Sequence, residues 1–267
     1  MADTTFKIGG ELEVNRLGFG AMRITKDRAE GVRVLRRAVE LGANLIDTAD
    51  IYGPETSEEI VAEALHPYEG LVIATKGGQI EVDGAPTPDC RPEHLRAACE
   101  ASLARLRLDR IDLYQLHNPD PEIPLEEALG ALIELRDEGK VRHVGVSNLY
   151  GVELEQALAA GAVSAQNAYS LSDRHSEPVL DAAERSGAAF MPYFPLAQGA
   201  LAEDRGALGH TARKHGATPA QVALSWLLQR SRATFPIPCT TSVEHLEQNW
   251  GAQEVALDEG DLQLLAS

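Results

Sequence analysis

The strongest constraint on the fold is a regular alternation between short apolar runs and segments whose apolar residues recur at helical spacing. The runs, rich in apolar and β-branched residues, predict strands over residues 16–22, 44–48, 71–76, 113–117, 141–148, 163–169, 189–195 and 234–239. Apolar residues three and four positions apart predict helices over residues 29–41, 58–65, 92–106, 125–137, 152–159, 179–186 and 219–228. Strands that alternate with helices in this way predict an α/β fold, a parallel (β/α)8 TIM barrel.

Two segments lie outside this alternation. Residues 5–15 place Gly9 and Gly10 between two short extended runs, which is typical of a β-hairpin with a two-residue turn, and we expect this hairpin to plug one end of the barrel. After the last strand, residues 243–249 and 258–265 predict two extra C-terminal helices. Because the sequence has no internal repeat and no linker-like stretch, we expect residues 1–267 to form a single domain.

The composition argues against several classes of protein. Asp and Glu number 41 against 24 Lys and Arg, and no basic run offsets the formal charge of -17, so nucleic-acid binding is not expected. No stretch approaches the ~18 apolar residues of a membrane span. Cys90, Cys99 and Cys239 form no C-x-x-C pair and no metal-site spacing, which predicts reduced thiols and no bound metal. We therefore expect a cytoplasmic monomer that acts on a small molecule.

Titratable residues stand at the ends of three predicted strands. These residues are Asp47, Lys76 and His117, and Tyr52 follows shortly after Asp47. Taken singly, each has an ordinary explanation, because such an aspartate often caps a helix, such a lysine is usually solvated and a lone histidine is usually only hydrogen-bonded. The carboxyl ends of barrel strands meet at one rim, however, and active sites form there. Buried charges persist only when they are paired, so convergence favours a catalytic role.

The four groups have the chemistry of an assembly that protonates an oxyanion. The pKa of tyrosine, ~10, is high for proton donation at neutral pH, and an adjacent ammonium is expected to lower it. We expect Asp47 to keep Lys76 charged, Lys76 to lie beside Tyr52, and His117 to hydrogen-bond a substrate oxygen. Such a site can protonate the oxyanion that forms when a carbonyl is reduced to an alcohol.

Eight short motifs surround these residues and cover nearly the whole chain. They are GFGAM (18–22), NLIDTADIYG (44–53), IATKGG (73–78), IDLYQLHNPD (111–120), GKVRHVGVSN (139–148), QNAYS (166–170), YFPLAQG (193–199) and TPAQVALSWLL (218–228). With these motifs in this order, the sequence resembles the aldo-keto reductase family. The resemblance implies NAD(P)H-dependent reduction of an aldehyde or ketone by a tetrad of Asp47, Tyr52, Lys76 and His117, with Tyr52 as the general acid.

The resemblance also implies where the nicotinamide cofactor binds. Ser147, Asn148 and Gln166 match residues that hydrogen-bond the carboxamide, Tyr193 matches the aromatic residue under the ring, and residues 194–199 match the loop over the pyrophosphate. The full set of implied cofactor contacts is Gly20, Met22, Arg23, Asp47, Ser147, Asn148, Gln166, Tyr193, Phe194, Pro195, Leu196, Gln198, Gly199, Cys239, Thr240, Thr241, Ser242, His245, Gln248 and Asn249. The glycine pair around Phe19 lacks the third glycine of the G-x-G-x-x-G fingerprint, and a tight turn is weighed equally with a backbone contact to the cofactor.

The phosphate-binding end departs from the family pattern. Cys239 and His245 stand where many relatives carry a lysine and an arginine for the adenosine 2'-phosphate. Thr240, Thr241 and Ser242 precede a predicted helix, and their hydroxyls and free backbone N–H groups can form an anion site. We therefore predict NADPH as the cofactor, with NADH as the alternative. Cys239 has two interpretations, a redox-active thiol or a small, semi-buried packing residue that acts as a structural filler. The second is favoured.

The substrate and two other functions are left open by the sequence. The motifs ALHPY (64–68) and YFPLAQG resemble a bacterial subgroup that includes pyridoxal reductases, which makes pyridoxal-type or small aromatic aldehydes candidates beside ketones. One alternative function is a cofactor-binding regulatory module with slow turnover. The other is a barrel enzyme that uses Lys76 as a Schiff base and needs no nicotinamide. The complete tetrad speaks against lost catalysis.

Overall fold

Seven parallel strands form a curved sheet in the computed structural model, which describes residues 5–53, 55–203 and 205–266. The strands of the chain are β1 (Thr5–Ile8), β2 (Leu12–Asn15), β3 (Phe19–Gly20), β4 (Leu45–Asp47), β5 (Val72–Gly77), β6 (Gln79–Val82), β7 (Ala85–Pro88), β8 (Ile111–Leu116), β9 (Val141–Ser147), β10 (Ser164–Gln166) and β11 (Ala189–Phe190). The curved sheet contains β3, β4, β5, β8, β9, β10 and β11, and each pairs with the next in chain order. This arrangement confirms the predicted (β/α)8 barrel.

An irregular stretch, residues 234–238, takes the place of an eighth strand between β11 and β3 and is termed the eighth stave. On the β11 side, the N–H of Phe235 donates to the carbonyl of Phe190 at 2.7 Å. On the β3 side, the N–H of Gly18 donates to the carbonyl of Pro236 at 3.1 Å. Proline accepts but cannot donate, so the ladder toward β3 is one-sided and the stave is not a regular strand.

Helices cover the outside of the sheet. They are α1 (Arg28–Glu40), α2 (Thr56–Leu65), α3 (Pro92–Leu106), α4 (Leu125–Asp137), α5 (Gly151–Ala159), α6 (Glu177–Ser186), α7 (Gly206–His215), α8 (Pro219–Arg230), α9 (Val243–Trp250) and α10 (Glu259–Ala266). Every predicted helix is present, with its ends within two residues of the predicted bounds. No helix in the described part of the chain is long and apolar enough to cross a membrane.

The predicted N-terminal hairpin is present and packs against the barrel interior. β1 and β2 pair in antiparallel fashion around Gly9 and Gly10, whose φ angles of 60° and 80° suit a hairpin turn that glycine adopts without strain. Ile8, Leu12 and Val14 are buried among interior side chains of the barrel, which include Leu45, Val72, Leu113, Met191 and Phe235. The apolar plug leaves the opposite rim, where the strands end, for polar groups.

Two elements of the structure were not predicted from the sequence. The hairpin β6–β7 follows β5 directly and rises at the rim where β5 ends. Its turn is Asp83-Gly84, with φ angles of 51° and 79°, a dipeptide that is itself a hairpin signal. Prolines at 86 and 88 hid the second strand. Helix α7 was also missed, because its first turn contains two glycines and Leu208 is the one large apolar residue on its buried face.

Candidate active site

Three strand ends and one loop bring the four titratable groups together. Asp47 ends β4, Lys76 lies near the end of β5, and His117 follows β8. Parallel pairing places these positions at one rim, since Asp47 is level with Ala74 of β5. Tyr52 returns to the rim in the turn after β4. The structure thus brings all four residues together at one rim.

The centre of the site is a buried ion pair between Lys76 and Asp47. Lys76 Nζ donates to Asp47 Oδ2 at 2.6 Å and to the carbonyl of Thr48 at 2.7 Å. The lysine side chain is fully buried and that of the aspartate is 3% exposed. Burial lowers the pKa of Lys76, but Asp47 and Tyr52 together raise it by more than burial lowers it. The net result is a raised pKa. Lys76 is therefore a stable ammonium, because its charge is paired.

Two glutamine side chains hold the other oxygen of Asp47. Gln115 Nε2 donates to Asp47 Oδ1 at 3.2 Å, and Gln166 Nε2 donates to the same atom at 2.9 Å. Gln115 is held in turn by Ser164, whose Oγ donates to Gln115 Oε1 at 3.3 Å. Gly145 leaves room for this pair, since a Cβ there would collide with Ser164 Oγ. The carboxylate cannot rotate without losing these hydrogen bonds.

Tyr52 lies beside the ammonium. Lys76 Nζ donates to Tyr52 Oη at 3.4 Å and lies 5.1 Å from the ring centroid. The sequence predicted a lowered pKa for this phenol, and the net direction of that prediction is wrong. Burial raises the pKa of Tyr52 more than Lys76 lowers it. The phenol is therefore protonated at neutral pH, which is the state that donates a proton.

His117 is a neutral imidazole at the same rim. Its ring stands nearly perpendicular to the ring of Tyr52, with centroids 5.7 Å apart. Burial, with a further contribution from Lys76, lowers the pKa of His117 to about 3. Nδ1 is buried and has no hydrogen-bond partner among the described residues, which favours the tautomer with the proton on Nε2. Nε2 can then donate to a substrate oxygen.

The four residues adjoin a large cavity at this rim. Its volume is about 1050 Å³, and Asp47, Tyr52 and His117 line it. Lys76 lies behind them, out of contact with the cavity. Of the residues predicted to bind the cofactor, all line the cavity except Ser242. Asp50, the second acid of the NLIDTADIYG motif, does not line it and accepts a hydrogen bond from the N–H of Ile51.

Comparison with known proteins shows which family has this fold and this set of residues. Residues 16–267 match the model of the Aldo/keto reductase family. The chain belongs to this family. An uncharacterized oxidoreductase of Schizosaccharomyces pombe is 42% identical over 95% of this chain and 86% of the relative. Pyridoxine 4-dehydrogenase of Escherichia coli is 38% identical over 99% of this chain and 98% of that protein. An aldo/keto reductase from Klebsiella pneumoniae, solved in complex with NADP and acetate, has a TM-score of 0.86 and 29% identity, covering 99% of this chain and 94% of that one.

In this aldo/keto reductase, the residues predicted to contact nicotinamide form one hydrogen-bonded network. Tyr193 Oη donates to Asn148 Oδ1 at 2.8 Å, and Asn148 Nδ2 donates to the carbonyl of His117 at 3.0 Å. Ser147 Oγ donates to the carbonyl of Gln166 at 2.8 Å. Gln166 Nε2 is committed to Asp47, which leaves Oε1 as an acceptor beside the cavity. These bonds lock the relative positions of the Tyr193 ring and the tetrad.

The loop predicted to cover the pyrophosphate has an unusual backbone. Phe194, Ala197 and Gln198 have φ angles of 51°, 46° and 56°, in the region that non-glycine residues rarely adopt. Phe194 also packs edge-on against Tyr193, with ring centroids 5.1 Å apart. The loop therefore wraps beside the ring of Tyr193 and borders the cavity along its length.

At the predicted phosphate end, most hydroxyls are used within the protein. Ser242 caps α9 by accepting from the N–H of His245 at 3.3 Å, and Thr240 Oγ1 accepts from the N–H of Ser242 at 3.1 Å. Cys239 Sγ accepts from the N–H of Arg23 at 3.1 Å, and burial raises the pKa of the thiol to about 11. A protonated thiol in this position agrees with the structural filler rather than the redox group.

Four residues near the site were missed from the sequence. Lys26, Gln79 and Asn118 line the cavity. Gln115 lies behind Asp47, in the barrel interior. Asn118 follows His117 directly and Gln79 follows β5, so their positions just past strand ends were the available signal. Gln115 had no such signal, because its role depends on contacts across the barrel.

Proposed function

We propose that this chain reduces an aldehyde or ketone to an alcohol with a nicotinamide cofactor, and that Tyr52 is the general acid. The observation that carries the proposal is the position of one ammonium, Lys76 Nζ, between a fixed carboxylate at 2.6 Å and the phenol at 3.4 Å. A protonated phenol held beside a permanent cation stabilises the negative charge that develops on a carbonyl oxygen and then neutralises it.

The proton path uses only residues at the rim. The substrate oxygen would lie between Tyr52 Oη and His117 Nε2, and both groups donate hydrogen bonds to it. As negative charge grows on that oxygen, Tyr52 transfers its proton and Lys76 stabilises the resulting phenolate. Asp47 holds Lys76 in place throughout. A bound nicotinamide supplies the hydride for the carbonyl carbon.

The residues present fit such a cofactor. The cavity passes from the tetrad, along Tyr193 and the 194–199 loop, to the N-terminus of α9. Gly20 belongs to this wall by necessity, since a Cβ there would lie 2.8 Å from the carbonyl of Ile237. Gln166 Oε1 can accept from a carboxamide, and the Tyr193 ring offers an apolar face.

We propose NADPH rather than NADH, on the charges at the far end of the cavity. Arg23 and Lys26 both line it, and neither has a carboxylate partner among the described residues. On a chain of formal charge -17, two such cations in the wall of a cavity that also includes residues at the α9 N-terminus support a phosphate site. They supply charge that Cys239 and His245 do not.

For the substrate, we propose pyridoxal or a similar small aromatic aldehyde. Pyridoxine 4-dehydrogenase is 38% identical over nearly the full length of both chains, which supports this choice. The cavity wall near the tetrad combines Ile51, Gln79, Pro86 and Asn118 and carries no charge beyond the tetrad itself. Such a wall suits a neutral ring with polar substituents better than a carboxylic acid.

A panel of aldehydes and ketones, assayed with NADPH and with NADH, tests the proposal. We expect carbonyl-dependent oxidation of NADPH, with pyridoxal among the better substrates. NADPH binding without turnover of any carbonyl would favour the regulatory module. No NADPH binding, read as unchanged tryptophan fluorescence, would favour a Schiff-base enzyme, and borohydride trapping on Lys76 would then establish it. Lys76 does not line the cavity and its ammonium is paired with Asp47, which argues against a Schiff base.

We further propose that the whole chain is one domain that works as a monomer in the cytoplasm. Cys90, Cys99 and Cys239 are all free, which supports a reducing compartment. Light scattering coupled to gel filtration tests the monomer, and a mass of two chains would contradict it.

A further inference from the structure

Asn118 follows the tetrad histidine and has no part in the proton path described above. Its side chain lines the same cavity as Tyr52 and His117 and is partly exposed. Its backbone is held firmly, because Cys90 Sγ donates to the carbonyl of Asn118 at 3.2 Å. A polar side chain directly after His117 in the lining of the cavity is suited to recognise a substrate.

The orientation of the Asn118 amide is fixed by its neighbours. The carbonyl of His117 can only accept, so the Asn148 atom 3.0 Å from it is the amide nitrogen. Tyr193 Oη, 2.8 Å from the other amide atom of Asn148, agrees with that assignment. Asn148 Nδ2 also donates to Asn118 at 2.6 Å, and the accepting atom must be Oδ1.

This orientation leaves the Asn118 NH₂ group turned away from Asn148. Among the described residues, Asn118 Nδ2 has no acceptor, and Asn118 is a partly exposed residue of the cavity lining. A part-buried amide donor gains most when a ligand supplies the acceptor. The tetrad provides donors for the carbonyl oxygen, so a second donor next to His117 addresses a second oxygen.

We propose that Asn118 is a specificity-determining residue, whose Nδ2 donates to an oxygen carried on a carbon next to the one that bears the reacting carbonyl. This inference rests on the proposed carbonyl reduction and deepens it. The substrate class is aromatic aldehydes with an ortho oxygen. Pyridoxal belongs to this class, because the ring carbon on one side of its aldehyde carries a hydroxyl and the carbon on the other side carries a hydroxymethyl group.

Two positional isomers test the assignment, 2-methoxybenzaldehyde and 4-methoxybenzaldehyde. Their oxygens accept but do not donate, and only the ortho isomer can reach Asn118. The measured quantity is the ratio of kcat/KM for the ortho isomer to that for the para isomer, with NADPH. Comparing this ratio between variants cancels the intrinsic reactivity of each aldehyde.

Asn118→Asp is the most informative substitution, because it keeps the shape and the oxygen that accepts from Asn148 but replaces the donor with an acceptor. We expect the ortho-to-para ratio to fall about tenfold, the equivalent of one hydrogen bond to a polar partner. Gln253→Glu is the matched control. It makes the same amide-to-acid change on an exposed residue away from the cavity, and the ratio should not change.

Asn118→Ala removes the donor without adding charge and serves where the aspartate variant does not fold. Its ratio should fall in the same direction by a smaller factor. If both isomers are reduced and the ratio stays within twofold of wild type in the folded variants, the inference is overturned while the proposed function stands. A wild-type chain that reduces other carbonyls but neither isomer contradicts the proposed aromatic-aldehyde substrate, and this inference with it.

Discussion

The two ends of the cavity are built in opposite ways. At the catalytic end, Lys76 is fully buried and both oxygens of Asp47 are held by hydrogen bonds. At the proposed phosphate end, Lys26 is exposed and Arg23 partly exposed, and no carboxylate among the described residues pairs with either. The first end is rigid and depends on many residues at once. The second relies on independent groups, each of which can change alone.

Burial explains the difference in energetic terms. Removing one partner of a buried ion pair leaves an uncompensated charge and is strongly destabilising, whereas an exposed cation contributes a small, salt-screened amount. Substitutions at the catalytic end should therefore cause large losses of turnover, and those at the phosphate end should shift cofactor preference by small factors.

The largest effect should follow Lys76→Met, which removes the ammonium but keeps much of the side-chain length. Without it, the phenolate of Tyr52 loses its stabilising charge and Asp47 is left unpaired. We expect kcat for reduction to fall about a thousandfold, in the range of a lost acid–base group. A steady-state assay that found kcat within tenfold of wild type would show that the catalytic end does not act as a unit.

Gln115→Leu should have the next largest effect. The variant removes one of the amide donors to Asp47 Oδ1, so the negative potential at Tyr52 increases and the pKa of Tyr52 rises further. We expect kcat to fall about tenfold, with NADPH affinity unchanged. A difference titration of phenolate absorbance, with Tyr52→Phe as the blank, measures the pKa directly. Tyr114→Phe, on the same strand, removes a hydroxyl without a partner in the described chain and serves as control.

Substitutions at the proposed phosphate end should change the preference for NADPH over NADH by smaller factors than the substitutions above change kcat. Lys26→Met is expected to raise the Kd of NADPH about fivefold at low salt and to leave that of NADH unchanged, because only NADPH carries the 2'-phosphate. Lys7→Met, on the plug hairpin at the other end of the barrel, is the matched control. Introducing Cys239→Lys with His245→Arg should raise the preference for NADPH. Equal loss of both cofactors in Lys26→Met would place the phosphate elsewhere.

The smallest effect should be that of pH on kcat for reduction. The pKa of His117 lies at about 3 and that of Tyr52 above its ordinary value, so both groups keep their working protonation states near neutrality. We expect kcat to be flat between about pH 5 and pH 9 and to fall as pH rises through the pKa of Tyr52. Alcohol oxidation, which needs the phenolate, should increase with pH. An inflection near pH 7 in the reduction profile would contradict these assignments.

Features encoded by local sequence patterns could be predicted from the sequence. The barrel followed from strand and helix periodicity, and the tetrad from the rule that strand ends meet at one rim. The eighth stave was predicted as a strand from its apolar run, but its prolines cannot donate hydrogen bonds, so its ladder toward β3 is one-sided. Hairpin β6–β7 was missed although Asp83-Gly84 is a turn signal, because two prolines obscured the return strand.

Other features depend on contacts that no local pattern encodes. Gln115 donates to Asp47 across the barrel interior, although the two residues are 68 positions apart in the sequence. The raised pKa of Tyr52 was missed because the convergence of strand ends predicted that Lys76 lies nearby but not that the phenol is so deeply buried. Lys26 looked like any solvated lysine until the fold placed it beside the cavity.

The central claim is that the Tyr52 hydroxyl donates the proton and that NADPH binding does not depend on it. Tyr52→Phe, assayed for carbonyl reduction and for NADPH binding by tryptophan fluorescence, tests it most directly. We predict that turnover falls at least about a thousandfold while the Kd of NADPH stays within about threefold of wild type. Near-normal turnover in this variant would contradict the account.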